Sequence, residues 1–286
     1  MKLNALSERW DAEVYIKCEQ FQPIGAFKIR GASNFALQLP EGSKALVTHS
    51  SGNHAQAVAY MGQRLGIPAH VVMPSNSNKK KIQNAKKWGA TVHLCEPTFE
   101  SRVSAAAALA EEFNAVIIPP FDHEWIVEGQ ATCAMEILYD LPEVDIIAAP
   151  LGGGGLLAGT TLAAHHFSSK AKVIGAEPAN AADGYEGLEK GERITSFTPN
   201  TVADGLRTTV GEVPFEVLKD HEVEVLLAEE EDILPWMKLI WDYSKTLIEP
   251  SCAVPFAAMD RHKERWKGKQ IAIIVTGGNV DIDQLF

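Results

Sequence analysis

The sequence is poor in the features that mark secreted, membrane-spanning or nucleic-acid-binding chains. It has four cysteines, Cys18, Cys95, Cys133 and Cys252. None forms a C-x-x-C pair or a zinc-like spacing, which excludes a disulfide framework and a cysteine zinc site. Structural thiols in a reducing compartment are the expectation. No apolar run is long enough to span a bilayer, and Met1-Lys2-Leu3-Asn4 opens no secretion signal. A cytoplasmic location follows as the default. Basic charge is in deficit, with 26 Lys and Arg against 37 Asp and Glu and a formal net charge of −11. Such a surface repels nucleic acid and anionic membranes, so neither is expected as a partner. The local basic cluster Lys79-Lys80-Lys81 with Lys86-Lys87 reads as a solvated helix face. Internal repeats, a low-complexity linker and a composition shift marking a domain boundary are also missing.

What is present is an ordinary globular composition, 46% hydrophobic and 22% charged. Short β-branched runs alternate with helical patterns. The runs are His70–Met73, Thr91–Leu94, Ala115–Ile118, Asp145–Ala148, Val173–Ala176 and Ile271–Val275. Their apolar character predicts strands buried on both faces. Between them, 53–65, 77–88, 99–114, 124–139, 156–167 and 231–247 have the length and composition of helices. This alternation predicts an α/β fold with a parallel sheet.

Five motifs stand out. Gly25-Ala26-Phe27-Lys28-Ile29-Arg30-Gly31-Ala32 sets a lysine among apolar and small residues. Such surroundings lower a lysine's pKa and favour it as an amine nucleophile, although a surface lysine on a short helix has the same look. Thr48-His49-Ser50-Ser51-Gly52-Asn53-His54 precedes a helix pattern; it is either an anion site for a carboxylate or an N-cap cluster. Gly152-Gly153-Gly154-Gly155 joins a strand to a helix. Its exposed N–H groups suit a phosphate better than a plain turn would, and without a following Gly-Lys-Ser/Thr it is not a P-loop. Thr276, in Val275-Thr276-Gly277-Gly278-Asn279, ends the last strand, where open α/β sheets bind ligands or simply turn. Glu177 and Asp183, six apart, are either ligands for a hard cation or surface acidity.

Taken together and in order, these motifs resemble the fold-type II pyridoxal-phosphate (PLP) enzymes, in their serine/threonine dehydratase and serine racemase branch. The resemblance covers essentially the whole chain. It implies two open, mostly parallel α/β domains with the cofactor in the cleft between them: a discontinuous large PLP-binding domain, 1–40 with 125–286, and a small domain, 41–124. It implies β-elimination of L-serine, L-threonine or a related 3-hydroxy amino acid to a 2-oxo acid and ammonia. Lys28 would hold PLP and act as base at Cα, and Phe27 would pack on the ring. Asn53 would bond the phenolic oxygen, Gly152, Gly153, Gly154 and Gly155 would cradle the phosphate, Glu249 would lie near the ring and Thr276 would face the pyridine nitrogen. Ser50, Ser51, Asn53 and His54 would receive the substrate carboxylate, with Arg102 and Thr208 as neighbours. Ser51 matches the racemase branch's second base. Glu177, the carbonyl of Ala181, and Asp183 match its magnesium or calcium site. A homodimer is implied.

The sequence also departs from the pattern. Ile24-Gly25 replaces the usual Thr-Gly, and Glu128 and Ala131 stand where alanine and glycine are common. The usual N-terminal helix reads as absent or much shortened, and the short tail after Thr276 implies no appended regulatory domain and a catabolic role. Ile29-Arg30 and Ser51-Gly52-Asn53-His54 argue against cysteine synthases. Serine racemase is the competing activity; Phe121, in Pro120-Phe121-Asp122-His123, leans toward the dehydratases. A PLP-binding protein without turnover is the alternative from another class.

Overall fold

A computed structural model of the chain describes residues 1–77, 79–168 and 170–281. The side chains of Phe99, Lys80 and Lys81 also lie outside that description, and with the latter two part of the expected basic face. The strands are β1 (Glu13–Cys18), β2 (Ala45–Thr48), β3 (Ala69–Pro74), β4 (Thr91–Cys95), β5 (Ala115–Ile117), β6 (Ile146–Pro150), β7 (Lys172–Pro178), β8 (Glu224–Ala228) and β9 (Gln270–Val275). The α-helices are α1 (Asn4–Trp10), α2 (Lys28–Leu37), α3 (Asn53–Leu65), α4 (Lys79–Lys87), α5 (Phe99–Phe113) and α6 (Glu124–Asp140). They continue with α7 (Gly155–Phe167), α8 (Asp183–Lys190), α9 (Glu212–Asp220), α10 (Glu230–Ser244) and α11 (Pro250–Asp260). None of these helices is long and apolar enough to cross a membrane, among the described residues.

The chain forms two compact units, Met1–Phe27 with Phe121–Phe286, and Lys28–Pro120. Helix α2 packs with α3 in the smaller unit. The larger unit holds a sheet of order β1-β9-β6-β7-β8 and the smaller one a sheet of order β4-β3-β2-β5. All pairings between these strands are parallel.

Burial follows position in the sheet. Central β2 and β6 are buried throughout. Edge strand β4 is not, and β5 at the other edge is only half-buried. The expectation of burial on both faces therefore fails at the edges, where one flank of the ladder has no neighbouring strand. Edge position also explains why β1 and β8 escaped prediction: each carries charge, Glu13 and Lys17 in one and Glu224 in the other, and neither reads as an apolar run.

Helix α11 escaped for the opposite reason. Residues Pro250 to Met259 are all buried, and a helix without a polar face has no 3.6-residue periodicity to detect. The chain's first helix is the seven-residue α1. Leu6 and Trp10 are buried. Arg9 donates twice to Asp260, at 2.8 and 2.6 Å, and Trp10 Nε1 donates to the same carboxylate at 2.7 Å. The four cysteines form no disulfide; Cys133 and Cys252 are buried and the other two half-buried.

Helices α6 and α7 approach closely. A Cβ on Gly159 would lie 2.5 Å from the Val127 carbonyl oxygen and 2.6 Å from the Ala131 nitrogen, both on α6. Gly159→Ala gains about 1 kcal/mol of helix propensity but must push two backbones apart, an overpacking cost of about 1–3 kcal/mol. A lower denaturation midpoint is expected, read by far-ultraviolet circular dichroism in urea.

Candidate active site

In the smaller unit, Lys28 is the first residue of α2 and is half-buried. Its Nζ donates to the carbonyl of Pro120 at 2.7 Å. The segment that carries this carbonyl is fixed just upstream. Ile118 N–H donates to the Val47 carbonyl at 2.8 Å. The Ile118 carbonyl accepts from Thr48 Oγ1 and from His54 Nε2, each at 3.0 Å. A carbonyl only accepts, so Nε2 of His54 carries the proton. Complete burial, reinforced by the charge of Lys28, holds the His54 pKa down to about 3, and the ring is neutral. His49, half-buried, is also lowered, by burial and then by the Arg102 guanidinium of α5.

Ser50, Ser51 and Asn53 lie half-buried at the start of α3. Ser50 Oγ accepts the Gly52 N–H at 3.3 Å. The N-cap, Gly52, gives α3 no side-chain cap, so the N-cap-cluster reading does not describe this helix end. First-turn N–H groups have no intrahelical acceptor and lie at the positive end of the dipole, which suits an anion.

In the larger unit, Gly152 to Gly155 connect β6 to α7. The loop is packed, not slack. A Cβ on Gly153 would lie 2.2 Å from the Phe121 ring, and one on Gly154 2.6 Å from Pro214 Cβ. Gly154 also has φ +87°, a left-handed conformation that favours glycine. The result is a side-chain-free rim at the N-terminus of a 13-residue helix.

Thr276, buried, follows β9; its carbonyl accepts the Phe27 N–H at 2.9 Å, and its Oγ1 lies 3.2 Å from Cys252 Sγ. Phe27 is half-buried against the larger unit's core. Glu249, buried, is the N-cap residue of α11. Thr208 is exposed. Phe121 and Cys252 were not singled out as site residues: one reads in sequence as a branch marker and the other as a structural thiol. The Pro120 carbonyl leaves no sequence signal, since every residue carries one.

The acidic pair is not surface acidity. Glu177, at the end of β7, is fully buried, Asp183 nearly so, and Ala181 lies buried between them in sequence. Glu177 accepts from Gly184 N–H at 3.1 Å and Tyr185 N–H at 2.7 Å. Asp183 Oδ2 accepts from Val210 N–H at 2.9 Å, while its Oδ1 is buried without a hydrogen-bond partner. Burial and then the Asp183 charge push Glu177 well above the usual carboxylate range, and burial raises Asp183 to about 6.

A family model described as pyridoxal-phosphate dependent enzyme matches residues 1–277. The chain belongs to that family. Among relatives of this PLP-dependent enzyme is the β-hydroxyaspartate dehydratase of Paracoccus denitrificans, 38% identical over 282 residues, 98% of this chain and 90% of the relative. The L-threo-3-hydroxyaspartate ammonia-lyase of Saccharomyces cerevisiae is 36% identical over 280 residues, 97% of this chain and 86% of the relative. The crystal structure of serine racemase from Dictyostelium discoideum superposes with a TM-score of 0.93 at 39% identity, covering 98% of this chain and 92% of that one. These likenesses identify the fold as that of the fold-type II PLP enzymes.

The residues fit the family's cofactor. A glycine run that puts no side chain over the N-terminus of α7 suits its phosphate, and a half-buried lysine amine held on a neutral carbonyl suits its aldehyde.

A histidine neutral to about pH 3 when folded takes up a proton near 6.5 once unfolded. The unfolded state thus binds the extra proton between those values, and stability is lost as pH falls from 6.5 toward 3. The expected slope from His54 is on the order of 1.4 kcal/mol per pH unit. In His54→Gln, the gap between urea midpoints at pH 7.5 and pH 5 should shrink; an unchanged gap would show that other groups carry the acid sensitivity.

Proposed function

We propose that this chain is an ammonia-lyase that removes water and then ammonia from a small 3-hydroxy amino acid, such as L-serine, L-threonine or a 3-hydroxyaspartate, leaving a 2-oxo acid. The observation that carries this reading is kinship along nearly the whole chain to a dehydratase and an ammonia-lyase of hydroxyaspartate. When bound, PLP supplies an electron sink for the charge left at Cα. Lys28 would hold the cofactor and take the Cα proton; at rest its amine donates to the Pro120 carbonyl. Phe27 packs on the ring, Glu249 lies beside it, and Asn53 bonds the phenolic oxygen. Gly152, Gly153, Gly154 and Gly155 hold the phosphate, supported by the dipole of α7.

Ser50, Ser51, Asn53 and His54 receive the substrate carboxylate, with the first-turn N–H groups of α3 as donors. Arg102 and Thr208 are neighbours of the substrate, and the charge of Arg102 favours an acidic side chain. Thr276 faces the pyridine nitrogen. A hydroxyl there would leave the nitrogen largely uncharged, unlike a carboxylate partner. The Ser51 hydroxyl supports a second reading, serine racemase, in which Ser51 is the second proton carrier.

A divalent cation, magnesium or calcium, is part of the proposal. Among the described residues no group of three or more His, Cys, Asp or Glu side chains could hold a metal. The proposed set is two carboxylates and a backbone carbonyl: Glu177, Ala181 and Asp183. In its favour are hard oxygen donors, two buried carboxylates that oppose each other's charge, and the orphaned Asp183 Oδ1. Exposed Met135, Tyr139 and Phe167, on α6 and α7, support a homodimer.

Lys28→Ala should lower elimination by about 10²–10⁴-fold and abolish borohydride trapping of PLP. Trapping on another lysine would overturn the assignment. With L-serine, L-threonine and the 3-hydroxyaspartates, oxo acid should exceed D-enantiomer in coupled and chiral assays. A large excess of D-serine would favour racemase instead, and visible cofactor absorbance without any oxo acid would mark a binder without turnover.

Chelation should lower the thermal midpoint, and magnesium or calcium should restore it. Unchanged metal content and midpoint in a Glu177→Ala, Asp183→Ala variant would remove the cation from the proposal.

A further inference from the structure

Cys252 is fully buried in α11, and its sulfur meets three groups on the turn after β9. Thr276 Oγ1 is 3.2 Å away, the Gly277 carbonyl oxygen 3.1 Å, and the Gly277 N–H donates to the sulfur at 3.3 Å. The thiol has one proton and two oxygens to choose between. The Gly277 carbonyl already accepts from the Glu249 N–H at 3.0 Å. Thr276 likewise has one hydroxyl proton. If threonine donates to sulfur, only its lone pairs are left to face outward. If sulfur donates, to the Thr276 hydroxyl or to the Gly277 carbonyl, the threonine proton is free; the hydroxyl is the acceptor that no backbone N–H already occupies.

We infer that Cys252 is a positioning residue: its S–H donates to Thr276 Oγ1, so that the Thr276 hydroxyl presents its own proton to the cofactor's ring nitrogen. This rests on the reading that Thr276 faces that nitrogen. An uncharged pyridine nitrogen is an acceptor only, so it cannot pair with Thr276 while the threonine proton is held by sulfur; a thiol that gives its proton to an oxygen keeps that arrangement out. The chain S–H to O–H to N runs in one direction, and each bond polarises the next. Burial, and then the charge of Glu249, push the thiol pKa up to about 12, so the proton stays on sulfur at neutral pH. No covalent step is involved, and Cys252 itself need not touch the cofactor.

The test compares Cys252→Ala, Cys252→Val, Cys252→Ser and Thr276→Val, each checked for fold by its thermal midpoint. PLP affinity of the apoenzyme is read by fluorescence titration, and the pH dependence of the bound cofactor's visible absorbance by spectrophotometry. Losing one neutral hydrogen bond should weaken PLP binding by roughly 2–10-fold in the Ala and Val variants and displace the absorbance profile along the pH axis. Ser, which keeps a donor, should restore both. On a Thr276→Val background, Cys252→Ala should add nothing further. Wild-type affinity and absorbance profile in both Ala and Val variants would overturn the inference. So would an equal loss on the Thr276→Val background, which would mean packing alone. If Thr276→Val itself changes neither readout, the underlying assignment of Thr276 has failed, a result distinct from the failure of Cys252 alone.

Discussion

Parallel pairing of the strands is the constraint on which everything else here depends. It sends the carboxyl ends of all strands in a sheet to the same edge, where the ladder stops and backbone and side chains become available to a ligand. In the smaller unit that edge delivers Thr48 to Asn53 after β2 and Ile118 to Pro120 after β5. In the larger unit it delivers the glycine run after β6, Glu177 at the end of β7 and Thr276 after β9. Residues far apart in sequence become neighbours along one edge because their strands run the same way.

Much of the polar work at these edges is done by the main chain. Glu177 is held by two backbone N–H groups and Asp183 by one. His54 and Thr48 share one carbonyl, and Lys28 rests on another. Burying carboxylates as deeply as Glu177 and Asp183 is unfavourable, and the raised pKa values register that cost. The backbone donors offset it only in part, since Asp183 Oδ1 finds none.

What could be read from the sequence followed from how each element is buried. Central strands such as β3 and β6 announce themselves as apolar runs, and amphipathic helices such as α3 by their periodicity, its predicted bounds 53–65 matching Asn53–Leu65. The edge strands β1 and β8 and the wholly buried α11 carry neither signal. The site motifs were legible as types: a lysine among small residues, a polar run before a helix, four glycines. Their surroundings were not. Nothing local to Gly153 reveals Phe121 against it, nothing in Glu177 reveals its burial, and nothing in Cys252 reveals Thr276 twenty-four positions later. Those are long-range contacts, fixed by the order of strands in a sheet.

The Pro120 carbonyl has a genetic consequence. An acceptor on the main chain cannot be deleted by a codon change, because every substitution at 120 brings its own carbonyl. The same holds for the N–H groups of Gly184, Tyr185 and Val210 that hold the acidic pair, except against proline. Random mutagenesis should therefore meet an uneven target. Inactivating changes would collect at the side-chain partners, at glycines with no room for a Cβ and at buried acceptor positions such as Ile118, while a half-buried acceptor position such as 120 tolerates more. Such a layout lets a chain diverge widely in sequence around chemistry that stays in place.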